Sequence, residues 1–196
     1  MKINALKIGA QALASVVLGG ALVYYNFIDK TVEVDSNKCP DFTIATYKSN
    51  GEQFVISSEK FTLSNHLGKV IILNFWATNC DPCTEEIPHF NTFYENYKEK
   101  VEVVIINSQY SYTAQELLDK HMNNPQSAKY EASYSKWLNY TCTFGRTEAD
   151  NDLLSKFDVI PALPVTVIVD KEGEISYCEA GKLSYERLTE LVTPLF

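Results

Sequence analysis

Long apolar runs separated by short polar breaks divide this chain into elements. The first run, Ile8 to Ile28, is 21 residues without a charge. As a helix rising 1.5 Å per residue it spans roughly 31 Å, enough to cross a hydrocarbon core. Lys2 and Lys7 precede it, and Tyr24, Tyr25 and Phe27 lie near its far end, where interfacial aromatics sit. The pattern predicts one transmembrane helix within residues 1–30, a membrane anchor or uncleaved signal. A signal cleaved near Gly19-Gly20-Ala21 is the competing reading. The positive flank stays inside, which places everything after Lys30 on the extracytoplasmic face. Thr31 to Lys38 reads as a polar tether.

The remaining pattern is that of an α/β domain. Phe42–Tyr47 and Gln53–Ile56 flank Ser49-Asn50-Gly51, a hairpin signal. Val70–Phe75 is almost continuously apolar, as in a strand covered on both faces. Pro82–Tyr97 has helical composition, and Pro88 inside it is expected to kink or end its first part. Val101–Ile106 is a second branched strand, followed by a helix around Ala114–Met122. Val165–Val169 is a third buried strand. Lys171-Glu172-Gly173-Glu174 turns it into Ile175–Cys178, and Tyr185–Val192 closes as a helix. The order β-α-β-α-β-β-α is that of a thioredoxin-like fold, here with an N-terminal β-hairpin extension and a central insertion, preceded by the transmembrane helix.

Charge narrows the function. Residues 31–196 carry 14 Lys and Arg against 24 Asp and Glu, net −10. No basic stripe exists to attract a phosphate backbone, so no nucleic-acid partner is expected. Five cysteines among 196 residues are too few for a disulfide-built scaffold. Two of them form Cys80-Asp81-Pro82-Cys83, between the strongest strand and the helix after it. There Cys80 stands at a helix N-terminus, where unpaired N–H groups and the helix dipole favour a thiolate, the species that attacks disulfides. Cys83, one turn further in, is placed to resolve the mixed disulfide. Asp81 adds negative charge beside Cys80 and opposes the helix effect, which favours a reductant over a strong oxidant.

Other chemistries fit less well. A zinc site would need a second ligand pair, but Cys39, Cys142 and Cys178 stand alone and His66, His89 and His121 are scattered, so no metal is expected. Haem attachment needs His after the second Cys, where this chain has Thr84. A peroxiredoxin would have Thr three residues before its reactive Cys, and that position is Ala77. A permanent structural disulfide is the bland alternative.

The run Asn74-Phe75-Trp76-Ala77-Thr78-Asn79-Cys80-Asp81-Pro82-Cys83, followed by Glu85-Glu86-Ile87-Pro88, resembles the membrane-anchored thiol–disulfide oxidoreductases of the TlpA/ResA type. Cys39-Pro40-Asp41-Phe42, Leu163-Pro164-Val165-Thr166 and Gly181 before the last helix extend the resemblance over residues 39–196. It implies a cis-proline beside the cysteine pair, at Pro164, exposing the backbone of Leu163 to a substrate strand. It also implies that Glu86 is an acidic residue under the sulfurs, tuning both thiols. Trp76 and Leu163 are the candidate substrate-binding residues, although Trp76 is also suited to packing. Asn79 departs from the family, which has Trp there, so a docking platform at that position is lost. No organic cofactor is needed. The implied partners are disulfide substrates among exported proteins, apocytochromes c included, and a membrane thiol-transfer electron donor. The alternative is a redox-silent binding module, or a disulfide-forming oxidant.

The Cys80-to-Pro164 interval is longer than in the family, and the excess lies around residues 123–148. Tyr130, Tyr134, Trp137 and Leu138 have helical spacing there, which predicts a helix packed on the core, with a partner-recognition surface as the sharper option. Cys142 and Cys178 are the candidates for a second disulfide, leaving Cys39 as the odd thiol.

Overall fold

The computed structural model describes Ser15–Leu18, Ala21–Tyr24 and residues 37–147, 152–157, 159 and 162–196. The chain divides into two compact units, Met1–Asp35 and Ser36–Phe196.

In the first unit, the expected helix over Ile8–Ile28 gives way to two strands, β1 (Ser15–Leu18) and β2 (Ala21–Tyr24). They pair antiparallel, with Ser15 opposite Tyr24 and Leu18 opposite Ala21. The sequence accounts for this: Val16, Val17 and Val23 are β-branched, and Gly19-Gly20 is a two-residue hairpin signal. The rest of the expected anchor lies outside the described residues. Among the described residues no helix is long and apolar enough to cross a membrane.

The second unit is a seven-stranded mixed sheet with the thioredoxin order of elements at its centre. Its strands are β3 (Thr43–Ser49), β4 (Phe54–Thr62), β5 (Val70–Trp76), β6 (Val101–Asn107), β7 (Thr143–Arg146), β8 (Val165–Val169) and β9 (Ile175–Ala180), in spatial order β4-β3-β7-β6-β5-β8-β9. β5, β6 and β7 run parallel, and every other neighbouring pair is antiparallel. Every residue of β5 is buried, as its unbroken apolar run predicts.

Alternation along β5 divides the core. Val70, Ile72 and Trp76 join the layer containing helices α1 (Asp81–Tyr97) and α4 (Tyr185–Val192). Ile71, Leu73 and Phe75 join Phe42, Phe61, Leu63 and Phe157 on the other face. Pro88 does not end α1, which continues to Tyr97. Ile87, Phe90 and Phe93, on both sides of the proline, are fully buried, and that packing outweighs a local cost of about 3 kcal/mol.

The expected hairpin is β3–β4, turned at Asn50, whose side chain accepts from the N–H groups of Glu52 and Gln53. The hairpin joins the central sheet through β7, a strand supplied by the insertion and not anticipated from its sequence. Gly145 makes this joint possible: a Cβ there would lie 2.9 Å from the Ala45 carbonyl oxygen and 2.8 Å from Ile44 Cδ1. Upstream, Thr113 caps α2 (Ala114–Leu117), which continues into a π-helical turn at Leu118–Met122. The tether ends sooner than expected, because Ile175 N donates to Asn37 O and Cys39 N to Gly173 O.

Candidate active site at the head of the first long helix

Strand β5 ends at Trp76, and four residues later the chain enters α1 with Cys80 as its N-cap. Cys80 is extended (φ −106°, ψ 99°), and its Sγ accepts from the backbone N–H of Cys83 at 3.3 Å. Pro82 falls in the first turn, where its missing N–H has no helical partner to lose. The loop before the helix is braced from the segment just after β6: Thr78 donates from N and Oγ1 to Gln109 Oε1, at 3.1 and 2.7 Å. Cys80 and Cys83 are joined by a disulfide, with Cα atoms 5.3 Å apart. The two sulfurs are not equivalent, for Cys80 is half-buried and Cys83 fully buried. A substrate can therefore reach Cys80 first.

One turn below Cys83, Glu86 is completely buried. Its Oε1 accepts from Asn74 Nδ2 at 2.7 Å and its Oε2 from Leu183 N at 2.8 Å. Burial pushes this carboxyl up to about 7, against the opposing pull of the Leu183 and Asn74 donors and the Lys182 charge. Glu86 is thus poised to hold or release a proton near neutrality beneath the pair. Asn74 and Leu183 were not singled out from sequence. Asn74 had a visible signal, being the one polar residue inside an apolar strand, whereas Leu183 contributes only its backbone.

The Leu163–Pro164 peptide bond is cis, at the proline expected from the resemblance. Leu163 is half-buried and lines a shallow surface depression with Ala77, Asn79, Cys80, Asp81 and Pro82, so it stands beside Cys80. Trp76 does not. It is 1% exposed and packs edge-on against Trp137, with ring centroids 5.3 Å apart, so its place is the core and not a substrate surface. The same packing answers the insertion. Tyr130–Tyr134 forms a π-helical turn running into α3 (Ser135–Trp137), and Tyr134 and Trp137 are buried, as the core-packing reading expects. Those two rings are unavailable as a recognition surface.

Asp81 is not the isolated charge the sequence suggests. Lys129, from the insertion, places its Nζ 2.7 Å from Asp81 Oδ1. The second disulfide is not formed: Cys142 and Cys178 remain thiols. Cys142 lies in the core layer with α1, while Cys178 packs against the opposite layer, and the sheet stands between them. Cys39 shares the layer of Cys178, and burial pushes its thiol up to about 12. Among the described residues no group of three or more His, Cys, Asp or Glu side chains comes together as metal ligands would.

Comparison with known proteins agrees with this geometry. A family model described as AhpC/TSA family matches residues 36–178. The thiol-disulfide oxidoreductase ResA of Geobacillus kaustophilus (strain HTA426) is 27% identical over 169 residues, covering 85% of this chain and 82% of that protein. The thioredoxin-like protein YneN of Bacillus subtilis (strain 168) is 26% identical over 169 residues, covering 86% and 85%. Among solved structures, the putative thiol:disulfide interchange protein DsbE from Chlorobium tepidum aligns with a TM-score of 0.57 at 20% identity, covering 81% of this chain and 95% of that one. That likeness establishes the fold.

Proposed function

We propose, from the premise that this chain belongs to the AhpC/TSA family and is a thiol–disulfide oxidoreductase of thioredoxin fold, that it reduces disulfides of exported proteins. The observation that carries this reading is the half-buried Cys80 at a helix N-terminus, with Cys83 buried one turn in and Glu86 buried below both. In the reduced enzyme the Cys80 thiolate attacks one sulfur of a substrate disulfide and expels the other as a thiolate. The Cys83 thiolate then attacks Cys80 Sγ, releasing the second substrate thiol and closing the enzyme disulfide. Two electrons pass to the substrate, and a membrane dithiol donor restores the pair. The Leu163 backbone, beside Cys80, is available to an extended substrate segment.

Glu86 supports the direction. When ionised it disfavours a thiolate nearby, which leaves the pair easier to oxidise and places its potential nearer the roughly −270 mV of thioredoxin than the roughly −120 mV of DsbA. The extracytoplasmic site of action is proposed from the resemblance of residues 39–196 to membrane-anchored thiol–disulfide oxidoreductases, not from the strands within Ile8–Ile28. Protease added to intact or wall-stripped cells then digests the domain, and full protection contradicts that location.

Insulin reduction driven by dithiothreitol tests the activity. The full chain should accelerate it, and equilibration with glutathione should leave the pair predominantly oxidised. No acceleration by the folded chain would instead identify a redox-silent binding module. A potential near that of DsbA would reverse the direction.

A further inference from the structure

Through Lys129 the insertion reaches Asp81, the residue after Cys80. Lys129 begins the π-helical turn, its carbonyl accepting from Ser133 N at 2.9 Å and Tyr134 N at 3.2 Å. The turn is fixed to the core because Tyr134 and Trp137 pack on Trp76, at 6.2 and 5.3 Å between ring centroids. Trp76 is the last residue of β5 and opens the loop that leads to Cys80. One rigid cluster therefore holds both the cysteine loop and the start of the insertion's turn. Lys129 Nζ is closed off from solvent and lies 2.7 Å from Asp81 Oδ1, whereas the Asp81 side chain is 81% exposed. An ammonium held in place by the fold thus meets a carboxylate that solvent alone would otherwise surround.

We propose that Lys129 is a positioning residue for thiol exchange: by pairing with Asp81 it cancels a negative charge beside Cys80 and leaves the helix N-terminus free to stabilise the attacking thiolate. Asp81 directly follows Cys80 in the first turn of α1. Unpaired, its carboxylate would repel the thiolate and compete with it for the positive end of the helix. The insertion thereby sets the reactivity of Cys80 without touching substrate, and Lys129 acts through Asp81. The proposal rests on Cys80 being the nucleophile. It is read by Cys80 alkylation rather than by turnover, so its failure and that of the proposed reductase activity are separable.

The test compares wild type, Lys129→Gln, Lys129→Arg and the double variant Lys129→Gln/Asp81→Asn, each as the full reduced chain. Iodoacetamide labelling of Cys80 is followed by peptide mass spectrometry from pH 5 to 9. Lys129→Gln should slow labelling at pH 7 about threefold, the size expected for one uncompensated charge several ångströms away in water-like surroundings. Its pH midpoint should move upward. Lys129→Arg should label like wild type. Adding Asp81→Asn to Lys129→Gln should restore the wild-type rate or exceed it, because the charge that Lys129 cancels is then gone. An unchanged rate in Lys129→Gln overturns the proposal. So does a double variant as slow as Lys129→Gln, which would mean that Lys129 merely supports the fold.

Discussion

Cys80 and Cys142 pack against the same hydrophobic layer, yet their surroundings differ in every respect that governs sulfur chemistry. Cys80 caps a 17-residue helix, is half-buried, and has the Cys83 N–H directed at its sulfur. Cys142 is 5% exposed, and burial drives its thiol upward, away from the thiolate, with the Glu95 charge adding to the effect. Its own N–H is taken by Asn91 Oδ1, which also accepts from Thr141 N, so α1 holds the end of the insertion in place. Contact with the core is common to both. Reactivity is decided by solvent access and by the N–H groups facing the sulfur.

The largest effect that would break this comparison is loss of the attacking sulfur. Cys80→Ser should bring disulfide reduction down to the uncatalysed rate, while Cys142→Ala should keep turnover within about twofold, since a buried thiol takes no part in exchange. Insulin turbidity measures both. Appreciable turnover by Cys80→Ser would mean that another cysteine does the chemistry.

Next in size is Asn91→Ala, which removes the acceptor for two backbone N–H groups at Thr141 and Cys142. Leaving them without a partner should lower stability by roughly 2 kcal/mol, measured by urea unfolding. It should also make Cys142 labelled in the folded protein, erasing part of its contrast with Cys80.

How much of this was legible beforehand follows from the range of each contact. Cys80 and Cys83 declare themselves through residue type and local spacing, whereas the cis bond at Pro164 and the place of Glu86 were expected only from the resemblance to the TlpA/ResA family. The charge-free run at Ile8–Ile28 is ambiguous by pattern, because an apolar stretch suits helix and strand alike; the Gly19-Gly20 pair was the signal for β1 and β2. Pairing Cys142 with Cys178 failed because composition does not say which face of a sheet a residue reaches. Lys129 approaches Asp81 from 48 positions away, and Leu183 approaches Glu86 from 97 away. Nothing local marks either one; the packing of Tyr134 and Trp137 on Trp76 holds the turn that follows Lys129.

A smaller effect sharpens the comparison from below the pair. The folded-state value of about 7 for Glu86 lies above the ordinary 4.5, so the folded protein holds this proton more tightly than the unfolded chain does. The stability this contributes is complete below about pH 4.5 and disappears as pH rises through about 7. Glu86→Gln abolishes that dependence, so its stability relative to wild type should grow between pH 5 and 8. Cys80 labelling should be unchanged at pH 6 and a few-fold faster at pH 8, where the wild-type carboxylate is ionised. Parallel stability curves for the two proteins across this range would show that Glu86 does not titrate where its burial places it.

The most direct measurement of the central claim is competitive alkylation of the fully reduced, folded chain at pH 7. Substoichiometric iodoacetamide and peptide mapping rank the five cysteines. Cys80 should be labelled first and much faster than Cys83, with Cys39 and Cys142 reacting only once the protein is unfolded. Labelling that begins at Cys83, or equally at Cys80 and Cys142, would contradict the assignment of the helix N-terminus as the source of reactivity.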